Sequence, residues 1–178
     1  MASLAHADDR VAAPPPAFLR RLSVELAGEI YREAWNYNLS DEDLFGGSAA
    51  LWYRVGPDWS IGGEAVVLWV HQEPVPSTPL GGFTILTRRY FPHRHLSYFV
   101  EGGGGGSYAA RFAPNRGTRF NYVAGAGFGL IHETGGNAQL VASFRFLHLS
   151  NNGLAGRARN PDIEAFGFRV GVRLPLAP

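Results

Sequence analysis

His148 and Ser150 are the residues of this sequence whose types and spacing most directly indicate chemistry. They lie two positions apart in the segment 146–151, Phe-Leu-His-Leu-Ser-Asn, and residues two apart on an extended strand point to the same face. A serine hydroxyl becomes a nucleophile when a neighbouring base takes its proton, and that base needs an acid to orient it. The pair therefore indicates nucleophilic catalysis, with loop polarity at a strand end as the simpler alternative.

Two acidic residues beyond the following loop are candidates for the orienting acid. Glu164 and Asp162 lie two and four residues before Phe166, so on an extended strand all three side chains share a face. If this strand forms a hairpin with the strand of His148, that face should be the one to which His148 points. Parity alone leaves both carboxylates open. We therefore expect His148, Ser150 and one of the two acids to form a patch at the end of a strand pair.

Composition excludes several classes of protein. The chain has 178 residues and a net charge of +1, so it lacks the strong positive field of a nucleic-acid-binding domain. It contains no cysteine, which excludes disulfides, thiolate metal sites and cysteine nucleophiles. No apolar run approaches the ~20 residues that a transmembrane helix needs. A membrane barrel stays open, because its strands carry alternating rather than continuous hydrophobicity.

Alternating apolar and polar residues predict eight strands. Their ranges are 22–35, 49–56, 60–71, 80–90, 95–105, 118–130, 138–149 and 163–175. Long polar loops alternate with short turns, the loops at 36–48, 72–79, 106–117 and 150–162 and the turns at 57–59, 91–94 and 131–137. Bacterial outer-membrane barrels have this alternation, with long loops outside the cell and short turns in the periplasm.

The two faces of the predicted strands differ in charge. In the last strand, for example, Phe166, Phe168 and Val170 oppose Arg169 and Arg173. A membrane barrel turns its apolar face outward and its polar face inward. The predicted fold class is therefore all-β, an eight-stranded antiparallel transmembrane (outer-membrane) β-barrel, with a soluble sandwich as the alternative. Inside the barrel we expect acidic residues to pair with arginines, namely Glu25, Glu29, Glu64 and Glu101 with Arg119, Arg145, Arg169 and Arg173.

Residues 1–20 are predicted to be a flexible N-terminal segment, and residues 21–178 the barrel domain. Small residues at 5–7, Ala-His-Ala, resemble the end of a signal peptide. We therefore interpret the segment as the remnant of a signal peptide, with an ordinary unstructured start as the alternative.

The end of the predicted seventh strand and the loop after it resemble the signature of the lipid A 3-O-deacylase family. The residues that carry the resemblance are 148–154, His-Leu-Ser-Asn-Asn-Gly-Leu, and 160–164, Asn-Pro-Asp-Ile-Glu. Weaker similarity upstream, at 98–103 and 117–121, extends it over roughly residues 80–175. Members of this family are eight-stranded outer-membrane barrels that hydrolyse the ester-linked acyl chain at position 3 of lipid A.

The resemblance implies a role for each residue of the patch. Ser150 would be the nucleophile, His148 the general base and Glu164 the orienting acid of a serine–histidine–glutamate triad. Asn151 and Asn160 match positions that would stabilise the oxyanion or place the substrate. The protein would then be a serine esterase of the bacterial outer membrane that acts on lipid A in lipopolysaccharide without a cofactor, with a homodimer as one form of assembly.

The loop also departs from the family and carries two arginines. Asn152 stands where alanine is usual, and Asp162 stands where glycine is common. Arg157 and Arg159 can bind the phosphates of lipid A through their planar guanidinium groups. Ordinary solvated loop charges are the alternative explanation for both arginines.

Other candidate sites are weaker. The glycine run 102–106 lacks the lysine and threonine of a phosphate-binding loop, and it favours a close approach of strands or a flexible strand end. His93 and His95 lie in a predicted turn without a nearby carboxylate, so no metal site is expected. The tryptophans suit an interfacial aromatic girdle or core packing, at Trp35, Trp52, Trp59 and Trp69.

Two further functions are compatible with the strand pattern. A non-enzymatic structural or adhesive outer-membrane barrel requires only the alternation of apolar and polar residues. The residues of the patch would then be ordinary polar residues of a loop. A soluble lipid-binding sandwich needs an apolar face that is buried. The three hypotheses differ in what happens to lipid A and in whether the protein requires detergent.

Overall fold

The computed structural model describes residues 16–35 and 40–177 and shows a closed antiparallel barrel of eight strands. Each strand pairs with the next along the chain, and the last closes on the first. The strands are β1 (Leu22–Glu33), β2 (Asp41–Arg54), β3 (Trp59–Glu73), β4 (Thr78–His93), β5 (Leu96–Ala113), β6 (Thr118–Glu133), β7 (Gln139–Ser150) and β8 (Ile163–Pro175). The predicted fold class is confirmed, and a soluble sandwich is excluded by the closure.

Helical structure is confined to two short 3₁₀ segments among the described residues, Leu19–Arg21 and Arg157–Arg159. No helix in these parts of the chain is long and apolar enough to cross a membrane. Most of the N-terminal segment predicted to be flexible, 1–15, lies outside the described residues.

Two predicted loops are largely strand. β2 begins at Asp41 rather than at 49, and β5 continues through the glycine run to Ala113. The loops predicted at 36–48 and 106–117 are therefore much shorter, and the connection 151–162 is the longest in the barrel. Glycine has low strand propensity, but here it is needed for close packing: a Cβ on Gly103 would lie 2.0 Å from the carbonyl oxygen of Ile85.

The outer surface is an apolar belt. Large hydrophobic side chains are exposed on all eight strands, among them Ile30, Phe45, Val67, Phe83, Tyr98, Phe128, Leu140 and Phe168. Trp35, Trp59 and Trp69 are exposed as a girdle requires, but Trp52 is fully buried inside the barrel. This inversion of the usual protein surface is what a barrel in lipid requires.

Glutamates and arginines fill the middle of the barrel. Arg88 forms a bidentate pair with Glu25, at 2.8 and 3.1 Å, and reaches Glu101 at 2.8 Å. Arg145 pairs with Glu64 at 2.9 Å and with Glu101 at 2.6 Å. We call this group the interior ion-pair network; its members are Glu25, Glu29, Glu64, Glu101, Arg88, Arg145 and Arg169.

The network differs from the predicted pairing in three arginines. Arg88 was not predicted, yet it is fully buried with its guanidinium 4.1 Å from the ring centre of Trp52. Arg173 donates instead to Ser23 and to the hydroxyl of Tyr90, at 2.7 and 2.8 Å. Arg119 is also outside the network, because it lies over the exposed ring of Tyr108 and donates to the carbonyl of Ala109. Only Arg145 and Arg169 confirm the prediction.

Toward the long-loop end the interior of the barrel becomes apolar. The sequence pattern predicted a polar interior without this apolar layer. The residues of this loop-end plug are Tyr31, Leu44, Leu68, Val70, Leu80, Ala109, Ala113, Val123, Leu149, Ile163 and Ala165. Leu149 and Ile163 are almost completely buried in it. The barrel is therefore filled by side chains, as expected for eight strands.

Replacing Arg88 with methionine should destabilise the barrel strongly. The change removes one of the two arginines paired with each of Glu25 and Glu101 and leaves the buried negative charge in excess; loss of a buried partner costs about 3–5 kcal/mol of unfolding free energy. Equilibrium unfolding in urea, followed by circular dichroism of the protein in lipid vesicles, measures the loss. The matched control is Arg89→Met on the same strand, whose guanidinium lies outside the barrel over Trp59. Equal losses for the two variants would contradict a stabilising role of the network.

Candidate active site

His148, Ser150 and Glu164 lie together at the adjoining ends of β7 and β8. The antiparallel register places His148 directly opposite Glu164. The Nε2 atom of His148 is 3.2 Å from the Oγ of Ser150, and its Nδ1 atom is 3.4 Å from Oε1 of Glu164. Contacts thus run from hydroxyl to imidazole to carboxylate, the order needed to activate a hydroxyl nucleophile.

These three side chains face the outside of the barrel. Their strand neighbours Leu149 and Ile163 point inward and are buried in the loop-end plug, and alternation turns His148 and Glu164 the other way. The side chains of His148 and Glu164 are 31% and 29% exposed, while Ser150 is buried. The imidazole is therefore accessible from the exterior of the barrel.

An aromatic surface begins next to the imidazole on the same outer face. Phe146 lies two residues before His148 on β7, and Phe166 lies two residues after Glu164 on β8. Their ring centres are 5.2 Å apart. Trp35, two residues after the end of β1, packs against both rings, with ring-centre distances of 6.4 and 5.7 Å. No local sequence pattern predicts this contact, because Trp35 is more than a hundred residues away from both rings and reaches them only through barrel closure.

The loop after β7 is held by the side chain of Asn151. This residue is almost completely buried, its Oδ1 accepts the backbone N–H of Gly153 at 2.9 Å, and its Nδ2 donates to the carbonyl of Arg159. An asparagine bonded to the backbone two residues on is an Asx-turn. Asn152 and Gly153 follow with positive φ of 52° and 73°, so the chain turns sharply directly after Ser150.

Three other predicted residues, all in the loop after β7, occupy different environments. Asn160 is half-buried, and its Oδ1 has no hydrogen-bond partner in the described part of the chain. Arg159 donates to the carbonyl of Gly117 at 3.4 Å and lies 5.1 Å from the ring centre of Phe112. Arg159 therefore ties the loop to β5 and to the β5–β6 turn, whereas Arg157 is exposed.

Asp162 is the second carboxylate near the imidazole. One oxygen of Asp162, one nitrogen of His148 and one carboxylate oxygen of Glu164 all lie within 4.8 Å of one another. Of the two acids that parity allowed, Glu164 is the one that the strand register pairs with His148, and its Oε1 atom lies 3.4 Å from Nδ1 of the imidazole.

Comparisons with known proteins agree with this architecture. The family model described as lipid A 3-O-deacylase (PagL) matches residues 30–173, which include the whole patch. No significant match was found among curated protein sequences.

Several solved structures share the barrel. Neisserial surface protein A is similar with a TM-score of 0.65 and 12% identity, over 86% of this chain and 96% of that one. The outer membrane enzyme PagL is similar with a TM-score of 0.58 and 14% identity, over 85% and 99%. The N-terminal β-barrel domain of OprF from Pseudomonas aeruginosa is similar with a TM-score of 0.52 and 18% identity, over 85% and 96%. At these identities the likenesses show the fold.

Replacing Asn151 with alanine should loosen the loop that follows Ser150. If the hydrogen bonds of Asn151 contribute about 1.4 kcal/mol, their loss raises the population of the open loop roughly tenfold. Trypsin can cut after Arg157 and Arg159, so the initial rate of loop cleavage measures this opening. The control is Asn137→Ala in the turn at the opposite end, which should cleave like the wild type. An unchanged rate in the Asn151 variant would show that the anchor is not needed.

Proposed function

The chain belongs to the lipid A 3-O-deacylase family, and from this premise we propose that it removes the 3-linked acyl chain of lipid A by a serine-esterase mechanism. Family membership makes the protein a lipid A deacylase of the bacterial outer membrane. The contact series from Ser150 through His148 to Glu164 is the observation that carries the proposed mechanism. We assign Ser150 as nucleophile, His148 as general base and Glu164 as orienting acid.

The first half-reaction transfers the acyl group to the enzyme. The Oγ of Ser150 attacks the ester carbonyl carbon while its proton passes to Nε2 of His148. This requires the tautomer with a proton on Nδ1, which a carboxylate at that side favours. The tetrahedral intermediate then expels the sugar oxygen, which takes the proton from His148. An acyl-serine remains on the protein.

The second half-reaction releases the fatty acid. Water gives a proton to His148 and attacks the acyl-serine, and the serine oxygen leaves with the proton returned by the imidazole. Glu164 stabilises the imidazolium in both halves without taking its proton. The contacts of 3.2 and 3.4 Å are long for hydrogen bonds, and catalytic contacts of this kind commonly tighten when substrate binds.

The two asparagines have different parts in this proposal. Asn151 already uses both ends of its amide within the loop, so we assign it the placement of the loop backbone next to Ser150. Asn160 is assigned a contact with the oxyanion or the substrate through the N–H groups of its amide, because the amide oxygen can only accept hydrogen bonds. Preorganised amide donors near a developing oxyanion contribute several kcal/mol to catalysis.

The substrate is proposed to approach sideways from the lipid. The outward-facing patch lies at the long-loop end, which in outer-membrane barrels is the outer leaflet. The acyl chain can then lie along Phe146 and Phe166, while Arg157 and Arg159 are proposed to meet lipid A phosphates. Arg159 also holds the loop, so we expect Arg157 to be the freer of the two. The homodimer stays a prediction of the sequence.

A purely structural or adhesive barrel is not favoured, because the family match includes the whole patch. The alternative predicts no change of lipid A when the protein is present. Lipid A mass spectrometry therefore separates the two functions directly.

Replacing Ser150 with alanine should abolish the release of the 3-hydroxy fatty acid. The change removes the nucleophile and leaves the strand pairing intact. Lipid A from an outer-membrane host that expresses the protein behind a working signal peptide is analysed by mass spectrometry. Ser143→Ala is the matched control, because Ser143 is on the same strand and buried inside the barrel. Continued release by the Ser150 variant would rule out the serine mechanism.

Replacing Glu164 with glutamine should lower kcat by at least about a hundredfold, because an amide neither stabilises the imidazolium nor selects the Nδ1–H tautomer. Asp162→Asn should lower it less than about tenfold, since Asp162 is not the residue paired with His148. Single-turnover rates on purified lipopolysaccharide measure both. The reverse order of losses would make Asp162 the orienting acid.

A further inference from the structure

Three metal-ligating groups, one imidazole and two carboxylates, meet at the outer end of β7 and β8. They are the imidazole of His148 and the carboxylates of Glu164 and Asp162, and their ligand atoms lie within 4.8 Å of one another. No other group of three potential ligands was found in the described ranges. The proposed mechanism uses two of these groups and has no task for Asp162.

The spacing of the first two ligands already suits a tetrahedral metal ion. Ligand atoms about 2.1 Å from a tetrahedral Zn²⁺ lie about 3.4 Å from each other. The Nδ1 of His148 and Oε1 of Glu164 are 3.4 Å apart, and the β7–β8 register holds their backbones. Asp162 is half-buried in the coil before β8, so a small movement of its side chain completes the third position.

We propose that His148, Glu164 and Asp162 form an inhibitory binding site for Zn²⁺ or a similar transition-metal ion. One imidazole nitrogen and two carboxylate oxygens are a ligand set that Zn²⁺ accepts, leaving its fourth position for water. Ca²⁺ and Mg²⁺ prefer ligand sets made entirely of oxygen. The site therefore distinguishes Zn²⁺ from the cations that bridge phosphates between lipid A molecules.

Inhibition follows from which nitrogen the metal occupies, and this part rests on the proposed function. A neutral imidazole bound to metal through Nδ1 carries its proton on Nε2. The Nε2 of His148 faces the Oγ of Ser150, so it would donate a hydrogen bond to the serine instead of accepting the serine proton. The same ion neutralises Glu164. The nucleophile thus loses its base while the barrel is unchanged.

Direct metal binding tests the site independently of catalysis. Untagged protein carrying Ser150→Ala and His71→Ala is titrated with Zn²⁺ by calorimetry in detergent; the second change removes the exposed contact of His71 with Glu73. We expect one Zn²⁺ per chain, with binding weakened at least tenfold by adding Asp162→Asn and unchanged by adding Asp58→Asn at the opposite end. Equal affinity with and without Asp162, or no binding, would overturn the site.

Activity tests the inhibitory consequence. Hydrolysis of a p-nitrophenyl 3-hydroxyacyl ester, which lacks phosphates that could bind metal, is measured for each variant relative to the same variant in EDTA. Zn²⁺ should reversibly inhibit the enzyme whose patch residues are unchanged, and Mg²⁺ should not. The Asp162→Asn variant should need at least a tenfold higher Zn²⁺ concentration for the same degree of inhibition. Binding without inhibition would overturn the consequence. If the enzyme instead requires metal and is inactive in EDTA, the proposed mechanism is refuted, while the result of the binding titration still stands.

Discussion

The register between β7 and β8 is the constraint on which the site depends. It pairs His148 with Glu164 and, one residue away on each strand, Leu149 with Ile163. Because alternate residues face opposite sides, a slip by one residue would turn the imidazole into the plug and the leucine into the lipid. Burial of Leu149 and Ile163 opposes that slip, so the loop-end plug stabilises the arrangement of the polar patch outside it.

The interior ion-pair network, which lies further from the long loops than the plug, also favours this register. Its glutamates and arginines come from six different strands, and the guanidinium of Arg88 connects β1 with β5 through Glu25 and Glu101. Buried pairs of this kind add little net stability relative to a well-packed apolar core, but an unmatched member is costly. The network therefore penalises alternative closures of the barrel more than it strengthens the observed one.

The patch combines residues from paired strands with residues from the loop between them. The backbones of His148 and Glu164 are held by the β7–β8 register, and Ser150 pairs with Tyr122 on β6. Asn160 and Asp162 lie in the connection that Asn151 and Arg159 anchor. Asp162 therefore brings a second carboxylate to the imidazole from the loop rather than from a strand.

Much of this protein was determined by local sequence alone. Alternation predicted the eight strands and their outward apolar face, and the spacing of two predicted that His148 and Ser150 share a face, because a strand repeats every two residues. The predicted β2 and β5 were too short, because residues 41–48 and 106–113 are rich in charged, glycine and other small residues, and their pairing with neighbouring strands is not visible in the local pattern. Sequence parity allowed both Glu164 and Asp162 as partners of His148, and the strand register placed Glu164 opposite the imidazole. Only the tertiary structure placed Arg88 in the network and Trp35 beside Phe166. These contacts join strands far apart in sequence, and they depend on the register and closure of the barrel, which single-strand patterns do not contain.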